Sequence, residues 1–247
     1  MTKSNRLYND LAWTFPIISK KEDYIEEGEF YTAKIREHSR IKTNTLLNLG
    51  SGAGNLDWAM KMNFDITGVD LSPDMVRISQ KANPEIAYHV GDMRMVRLDK
   101  QFDAVIIHDV INYMLTPDDL KAAFITAHAH LKPKGLLITT AEEWTGHLKQ
   151  NRVRHQVETK DNIEIVFIEN YYDPDPNDTT YEGTFIYLIR QNGVLQIETD
   201  HHVAGIFPLP LWSDLMKEVG FEVIEDRFTH SEFAEGEDYP MFIGIKR

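Results

Sequence analysis

The segment Leu46–Gly54, read Leu-Leu-Asn-Leu-Gly-Ser-Gly-Ala-Gly, decides the fold of this chain. A short apolar run directly before glycines is typical of a buried parallel strand, and the glycines let the backbone turn sharply and approach a ligand closely. The next apolar segment ends at Asp70. An acidic side chain about 20 residues past the first glycine is the usual partner of ribose hydroxyls in nucleotide-binding α/β folds.

The spacing of the glycines narrows the kind of ligand. It is Gly50-x-Gly52-x-Gly54, and Asn55 occupies the place of the last glycine in the G-x-G-x-x-G pattern of dinucleotide-binding folds. This difference points away from a pyrophosphate and towards a nucleoside that carries no phosphate.

The first part of the chain alternates strands with helices. Predicted strands lie at 45–49, 65–70, 86–90, 102–107 and 136–140. Ser72-Pro73-Asp74 and Thr116-Pro117 each supply an N-cap and a proline in the first turn of a helix, and helices are also expected within 5–40, around a break at Pro16. Such alternation predicts a doubly wound, mostly parallel α/β sheet that binds ligands beyond the carboxyl ends of its strands.

The pattern changes near residue 152. Alternating runs over 152–204, two of them joined by Gln191-Asn192-Gly193, predict an antiparallel β insertion. A helix ended by Gly220 and two further strands then bring the main sheet to seven, with an antiparallel edge. We therefore expect one domain over 1–247, with an N-terminal helical lid at 1–43 and the insertion at 152–204 covering an acceptor site.

The composition limits the partners of the protein. Its 26 basic and 39 acidic residues give a net charge of −13, which disfavours nucleic acid and anionic membranes. There are no cysteines, and neither a signal peptide nor a stretch of membrane-spanning length is recognisable. A cytoplasmic protein is expected, and the strands of the insertion could pair across a homodimer.

With these pieces in order, the chain resembles the class I S-adenosylmethionine-dependent methyltransferases over nearly its full length. It is most similar to their small-molecule branch, which includes amino-sugar N,N-dimethyltransferases and glycine/sarcosine methyltransferases. The segments that carry the resemblance are Leu46–Gly54, Gly68–Met75, Tyr88–Arg94, Phe102–Val105, Leu131–Leu137 and Gly220–Val223. His108-Asp109-Val110 follows the fourth strand, so the Asn/Asp-Pro-Pro-Tyr motif of DNA and glutamine N-methyltransferases is absent.

The resemblance implies a Rossmann-like methyltransferase fold and S-adenosyl-L-methionine as the cofactor. It assigns the turn to the methionine end of the cofactor, Asp70 to the ribose and the Gly91-Asp92-Met93 segment to the edge of adenine. It also implies that Tyr8 and Tyr24 close over the sulfonium as part of the lid, although packing of the N-terminus onto the sheet would equally explain them. The cofactor-binding candidates are Tyr8, Tyr24, Gly50, Ser51, Gly52, Gly54, Asp70, Leu71, Met75, Gly91, Asp92, Met93 and His108.

The acceptor is expected just past the fourth and fifth strands. His108 is a candidate general base because a histidine titrates near neutral pH, but it could instead be a wall of the pocket. Asp109 could hold an ammonium group, and Tyr8 completes the catalytic candidates. The substrate-binding candidates are Trp13, Tyr113, Glu142 and His201. Transfer to nitrogen is favoured over transfer to oxygen, and both stay open.

No metal site is expected. His201 and His202 are consecutive on a predicted strand, so only one of them can face inward. His128 and His130 lie two apart on a predicted helix and are expected to be exposed.

Two other function classes compete with a small-molecule methyltransferase. The strand, glycine and Asp70 pattern also suits an NAD-type oxidoreductase, which Asn55 and Gly91-Asp92-Met93 oppose. A non-catalytic protein that only binds S-adenosylmethionine is the other alternative.

Overall fold

The computed structural model describes residues 5–247, so the first four residues of the predicted lid lie outside the described part. Within it, six α-helices, α1 to α6, cover Phe15–Ile18, Ile25–His38, Asn55–Met60, Pro73–Ala82, Pro117–His130 and Leu209–Val219. Short 3-10 helices cover Arg6–Tyr8, Ala12–Thr14, Lys21–Tyr24 and Val110–Tyr113. Eleven strands, β1 to β11, cover Thr45–Leu49, Asp65–Asp70, Ala87–Val90, Phe102–Ile107, Leu131–Thr140, Arg152–Lys160, Ile163–Tyr172, Thr180–Gln191, Val194–Gly205, Phe221–Phe228 and Tyr239–Lys246.

Seven strands form the main sheet, in the order β10-β11-β5-β4-β1-β2-β3. Strand β11 runs antiparallel to both of its neighbours, and the pairs among β1 to β5 are parallel. The fold class predicted from the sequence is confirmed. The strand order reverses between β1 and β4, so the loops after these two strands diverge and open a crevice, the usual ligand site of a doubly wound sheet.

Helices cover both faces of this sheet, which explains why its central strands are apolar throughout. All six residues of β4 are buried. Val105 and Ile107 pack on the side of α5 and α6, whereas Ala104 and Ile106 pack on the side of α2 and α3. A strand with two buried faces reads as a continuous apolar run.

The helix caps form as predicted. The Ser72 hydroxyl accepts from the Met75 amide at 3.1 Å, and the Thr116 hydroxyl accepts from the Asp119 amide at 3.1 Å. Gly220 ends α6 with φ of 113°, a left-handed conformation that favours glycine.

Four antiparallel strands, β6 to β9, form the separate sheet expected over 152–204. Asn192 and Gly193 both have positive φ, 51° and 80°, as a type I′ hairpin turn requires. The inner face of this sheet packs against the N-terminal segment, where Ile165, Phe167 and Tyr187 meet Leu7 and Ile17.

Several local predictions differ from the structure, and three of the differences have a clear physical reason. Strand β5 begins at Leu131, five residues early, because Leu131 already pairs with Phe102 before an irregularity in the ladder. Pro16 lies in the first turn of α1 and not in a break, since a first-turn residue needs no backbone donor. His130 is only 2% exposed, and its Nε2 accepts from the Leu98 amide at 2.8 Å.

No helix among residues 5–247 has both the length and the apolar character needed to cross a membrane.

Candidate active site

A cavity of about 360 Å³ opens where β1 and β4 end. The turn after β1 and the loop after β4 form its floor, while the N-terminal segment and the inner face of the β6–β9 sheet form its roof. Its polar and glycine lining residues include Tyr8, Ser19, Tyr24, Asn48, Gly50, Ser51, Gly52, Asn55, His108, Asp109, Asn112, Tyr113, Glu142, Gln156, Glu169, Tyr171, Tyr181 and His202.

The glycine turn has the backbone geometry that its sequence predicts. Gly50, Gly52 and Gly54 have φ of 85°, 52° and 77°, a region that L side chains rarely adopt. A Cβ on Gly50 would lie 2.0 Å from Val110 Cγ2, whereas a Cβ on Gly52 would meet nothing within 4 Å. The open space above Gly52 is where a ligand can approach the backbone.

Asp70 closes this part of the site from β2. Its carboxylate accepts from the amides of Gly52 and Ser72, both at 2.8 Å, and it stays mostly buried. Burial raises the pKa of Asp70, and the two amides partly offset that rise. Asn48 Oδ1 and Ser51 Oγ are also buried, without a hydrogen-bond partner in the described part of the chain. A polar ligand in the cavity would supply the missing partners.

The predicted adenine-binding residues lie outside the lining of this cavity. Met93 approaches the turn, since a Cβ on Gly50 would lie 3.0 Å from its Cε. Asp92 has a partner that the sequence did not suggest, because the Arg94 guanidinium contacts its Oδ2 at 2.6 Å. Arg94 lowers the pKa of Asp92 and keeps it ionised. Met75 is fully buried, whereas Leu71 is largely exposed.

Three tyrosines enclose the cavity. Tyr8 and Tyr113 pack edge to face with ring centroids 5.6 Å apart, and the Tyr113 hydroxyl donates to that of Tyr8 at 3.1 Å. The Tyr24 hydroxyl lies 3.0 Å from Ser19 Oγ. Burial raises the pKa of both Tyr8 and Tyr24, so these rings line the cavity as neutral phenols.

A carboxyl cluster meets His108 at the end of β4. His108 Nε2 lies 3.0 Å from Asp109 Oδ1 and 3.5 Å from Glu27 Oε2, and Glu142 approaches from the loop after β5. Asp109 adopts φ of 51°, which strains a non-glycine residue and turns the chain sharply at this point.

The cluster holds fewer charges than it has carboxyl groups. Enclosure by protein raises the pKa of Asp109 to about 7; a hydrogen bond with Glu142 opposes this rise, and the charge of Glu27 adds to it. Burial and the charge of Asp109 raise the pKa of Glu142 well above its ordinary value. Near neutral pH the pair therefore shares a proton, and a cation placed beside it would release that proton.

A second cavity, of about 290 Å³, continues on the other side of this cluster. The two cavities share Ile18, Ser19, Tyr24, His108, Asp109, Glu142 and Gln156. The second adds Asp23, Glu27 and Glu232 as acids, with Arg154 and His230 as its basic groups. Negative potential thus dominates this part of the site.

Two predicted substrate residues do not reach either cavity. The prediction that His201 faces inward is wrong: alternation along β9 turns His202 into the cavity and leaves His201 beside Glu182, at 3.4 Å. Trp13 is 45% exposed and lies outside both linings, because the 3-10 helix Ala12–Thr14 turns it to solvent.

Behind Tyr113 lies a buried chain of polar groups that was not predicted from the sequence. His202 Nδ1 lies 2.7 Å from the Tyr113 hydroxyl, and His202 Nε2 lies 2.7 Å from Asp200 Oδ2. Asp200 and His202 are two residues apart on one strand and therefore share a face, a spacing that could have indicated the pair. In the described residues, no group of three or more His, Asp or Glu side chains is arranged to hold a metal ion.

Comparisons with known proteins agree with this geometry. Residues 46–135 match the family described as "Methyltransferase domain". A protein of Geobacillus sp. (strain WCH70), provisionally named a methyltransferase, is 25% identical over 97% of this chain and 99% of its own length. The dTDP-3-amino-3,4,6-trideoxy-alpha-D-glucopyranose N,N-dimethyltransferase of Streptomyces venezuelae is 30% identical over 51% of this chain, which spans about half, 53%, of that relative.

The fold has counterparts among solved structures. An S-adenosylmethionine-bound amino pentose methyltransferase of Micromonospora echinaspora, involved in calicheamicin biosynthesis, superposes with a TM-score of 0.77. It is 18% identical, and the match covers 91% of this chain and 92% of that one.

The fold, the glycine turn and these matches define an S-adenosylmethionine-dependent methyltransferase. Its fold is that of solved enzymes of this class, and the relatives that it matches include one named for methyl transfer to an amino sugar. Neither an NAD-type oxidoreductase nor a non-catalytic binding protein finds support.

Proposed function

We propose that the protein transfers methyl groups to the amino nitrogen of a small polyhydroxylated molecule of the amino-sugar kind. The observation that carries this proposal is the carboxyl cluster of Asp109, Glu142 and Glu27 at the junction of the two cavities. A protonated amine is the small-molecule group that such a cluster attracts most strongly. The relative from Streptomyces venezuelae is named as an N,N-dimethyltransferase of an amino sugar, which supports the same acceptor class.

The cofactor would lie across the glycine turn. The free space above Gly52 and the unpartnered Asn48 and Ser51 suit its methionine end, and Asp70 keeps lone pairs for the ribose hydroxyls. Asp92 and Met93 would meet the adenine edge, with Asp92 shared between adenine and Arg94. When bound, the cofactor supplies an electrophilic methyl group, so the protein has mainly to orient the acceptor and exclude water.

The residues of the cluster would act on the acceptor and not on the methyl donor. Asp109 and Glu142 would draw in the ammonium form, and the rings of Tyr8 and Tyr24 tolerate a cation without neutralising it. Further phenols, those of Tyr171 and Tyr181, offer donors and acceptors to sugar hydroxyls. His108 would orient Asp109, since it contacts that carboxylate directly.

The direct test is methyl transfer to matched acceptors. We expect S-adenosylhomocysteine to form with 3-amino-3-deoxyglucose derivatives, free and nucleotide-linked, and not with the corresponding 3-hydroxy sugars. Mass spectrometry would place the added methyl on nitrogen. Turnover of the hydroxy sugars alone would contradict the proposal, as would failure of every amine to react.

Glu142→Gln tests the role of the cluster. It removes the negative charge that Glu142 gains when the bound ammonium releases the shared proton, at nearly constant volume, and we expect KM for the amine to rise about tenfold, roughly the effect of 1.4 kcal/mol of lost attraction. Glu182→Gln is the matched control, because Glu182 lies beside His201 outside both cavities. Equal KM values in the two variants would contradict this role of Glu142.

We also propose that the protein is a cytoplasmic homodimer that does not bind nucleic acid. The excess of acidic residues supports the last point, because it repels a phosphate backbone. Dimerisation is supported by the outer face of the β6–β9 sheet, where Val153, Val157 and Ile197 are exposed apolar side chains. Several exposed apolar side chains on one face of a sheet are typical of an interaction site.

Sedimentation velocity would test the dimer. We expect the unmodified chain to sediment at twice its 28.6 kDa mass and Val157→Lys/Ile197→Lys to sediment as a monomer. Ile125→Lys, at an exposed position of α5, is the control. A monomeric wild-type protein would contradict the proposal.

A further inference from the structure

The described structure contains a continuous path of hydrogen-bonding groups from the cavity into the β6–β9 sheet. It begins at the Tyr8 hydroxyl, passes 3.1 Å to Tyr113 and 2.7 Å to His202 Nδ1, and ends 2.7 Å from His202 Nε2 at Asp200. Tyr8, Tyr113 and His202 line the cavity, whereas Asp200 does not. His202 and Asp200 are only 2% and 3% exposed.

We propose that Tyr8, Tyr113, His202 and Asp200 form a proton relay that removes one proton from the ammonium form of the acceptor. This inference rests on the proposed function, since it requires an amine as the acceptor. Only a neutral amine has the lone pair that attacks the methyl group, yet the carboxyl cluster attracts the charged form. A site that attracts the ammonium form therefore needs a group that accepts the proton of the ammonium.

Asp200 fixes the far end of the path. Burial alone would raise its pKa, but His202 and the backbone amides of Arg6 and Leu7 together hold the pKa of Asp200 below its ordinary value. An ionised Asp200 accepts a hydrogen bond from His202 Nε2–H, so neutral His202 presents an unprotonated Nδ1 to Tyr113. The ring of Phe185 packs against the imidazole with centroids 4.2 Å apart and holds its orientation.

Two hydrogen arrangements fit the same heavy-atom positions. Before transfer, Tyr8 donates to Tyr113, and Tyr113 donates to His202 Nδ1. When the N–H bond of the ammonium breaks, nitrogen keeps the electron pair and its proton joins the Tyr8 oxygen. The former Tyr8 proton passes to Tyr113, and that of Tyr113 passes to Nδ1. The result is an imidazolium paired with Asp200, with Tyr113 donating to Tyr8 across the same 3.1 Å contact. The proton returns to water by the reverse path after product release.

Other titratable groups face this path from several neighbouring elements. Asp70, Asp109 and Glu142 approach Tyr8 from the main sheet, Tyr171 and Tyr181 approach Tyr113 from the second sheet, and Tyr187 lies near Asp200. The three carboxyl groups favour a positive charge near the cavity. The phenols are neutral at physiological pH, because burial raises the pKa of each. Among these groups, only the imidazole of His202 has two ring nitrogens, one facing Tyr113 and one facing Asp200, as a relay requires.

The kinetic test replaces the imidazole. His202→Gln keeps a hydrogen-bonding side chain but cannot pass a proton, and we expect kcat at pH 7 to fall about 10²- to 10⁴-fold. The loss should disappear as the pH rises past the pKa of the acceptor amine, because the amine then arrives neutral. His201→Gln, the adjacent residue on the opposite face, is the control. A deficit that is the same at every pH would overturn the relay.

A second measurement needs neither acceptor nor cofactor. In ¹⁵N-histidine-labelled protein, Tyr113→Phe should shift the Nδ1 signal of His202, which is identified by its absence from His202→Gln. An unchanged signal would overturn the relay even if amines are methylated. If instead the signal shifts but no amine of the acceptor panel reacts, the hydrogen-bonded path is present and the proposed acceptor class has failed. If His202→Gln does not fold, the pH profile of kcat for Tyr113→Phe, which removes the hydroxyl between Tyr8 and His202, takes the place of the kinetic test: a deficit that is the same at every pH would again overturn the relay.

Discussion

At the scale of single residues, positions 50 and 52 of the glycine turn require glycine for two different reasons. Gly50 has no room for a side chain, because Val110 occupies the position of its Cβ. A Cβ on Gly52 would meet no other atom in the free protein. Glycine at position 52 is therefore explained by its positive φ together with the approach of a ligand. The two glycines should therefore respond differently to substitution.

We expect Gly52→Ala to weaken S-adenosylhomocysteine binding at least tenfold in calorimetry while lowering stability by only about 1 kcal/mol. The added methyl group occupies ligand space and forces a left-handed alanine. Gly193→Ala is the matched control, since Gly193 also has positive φ and open surroundings but lies in the β8–β9 turn. Equal affinities in the two variants would contradict the proposed cofactor position.

At the scale of elements, one buried carboxylate joins three strands of the main sheet. Asp103 in β4 accepts from the amides of Asn44 and Thr45 at 2.9 Å each, before and within β1, and from the Lys132 ammonium in β5 at 2.7 Å. Burial alone would raise the pKa of Asp103, but these donors lower it to about 2. The carboxylate thus fixes the register of β1, β4 and β5 at their amino ends.

Asp103→Asn should lower the free energy of unfolding by about 2 kcal/mol at pH 7, since hydrogen bonds to a charged group are lost. Because the folded-state pKa is depressed, this contribution is present above pH 4 and disappears as the pH falls through about 2. Urea unfolding at pH 7 and pH 3 would measure it. The control is Asp65→Asn, whose carboxylate is largely exposed. A pH-independent difference would mean that the charge does not matter.

The N-terminal segment is the element that brings the two sheets together. The Leu7 amide donates to Asp200 in β9 at 2.7 Å, and the Ser72 hydroxyl donates to the Tyr8 carbonyl beside α4. Farther along, Asn55 Nδ2 donates to the Ser19 carbonyl at 3.0 Å. Opening the roof over the cavity therefore requires these hydrogen bonds to break.

At the scale of the whole molecule, the carboxyl cluster couples stability to pH. The pKa of Asp109 is raised to about 7, so the folded chain binds more protons than the unfolded chain between about pH 4 and pH 7. Its contribution to stability therefore falls as the pH rises through this window. The effect is modest, because the Asp109 side chain is 51% exposed within the cavity.

Asp109→Asn should consequently stabilise the protein at pH 7, on the order of 1 kcal/mol, and leave it nearly unchanged at pH 4. Asparagine also tolerates positive φ. Thermal unfolding at the two pH values measures the difference, with Asp65→Asn as control. The same variant should bind the amine acceptor more weakly. Destabilisation at pH 7 would contradict this prediction, because it would show that attractive contacts of the ionised Asp109 carboxylate stabilise the folded protein.

The sequence by itself determined the main sheet, the glycine turn and the class of cofactor. These depend on local signals: continuous apolar runs mark doubly covered strands, glycine marks left-handed backbone, and Ser72 and Thr116 cap their own helices. The strands β1, β2 and β4 agree with their predicted bounds to the residue for this reason.

Only the tertiary structure decided which side chains face the cavity. Choosing between His201 and His202 requires the register of β9 against β8, which joins residues far apart in the chain. The buried state of His130 likewise depends on a neighbour that folding brings to it, because its ring accepts from the Leu98 amide. The carboxyl cluster joins α2, the loop after β4 and the loop after β5, so its shared proton arises only when the folded chain brings these carboxyl groups together.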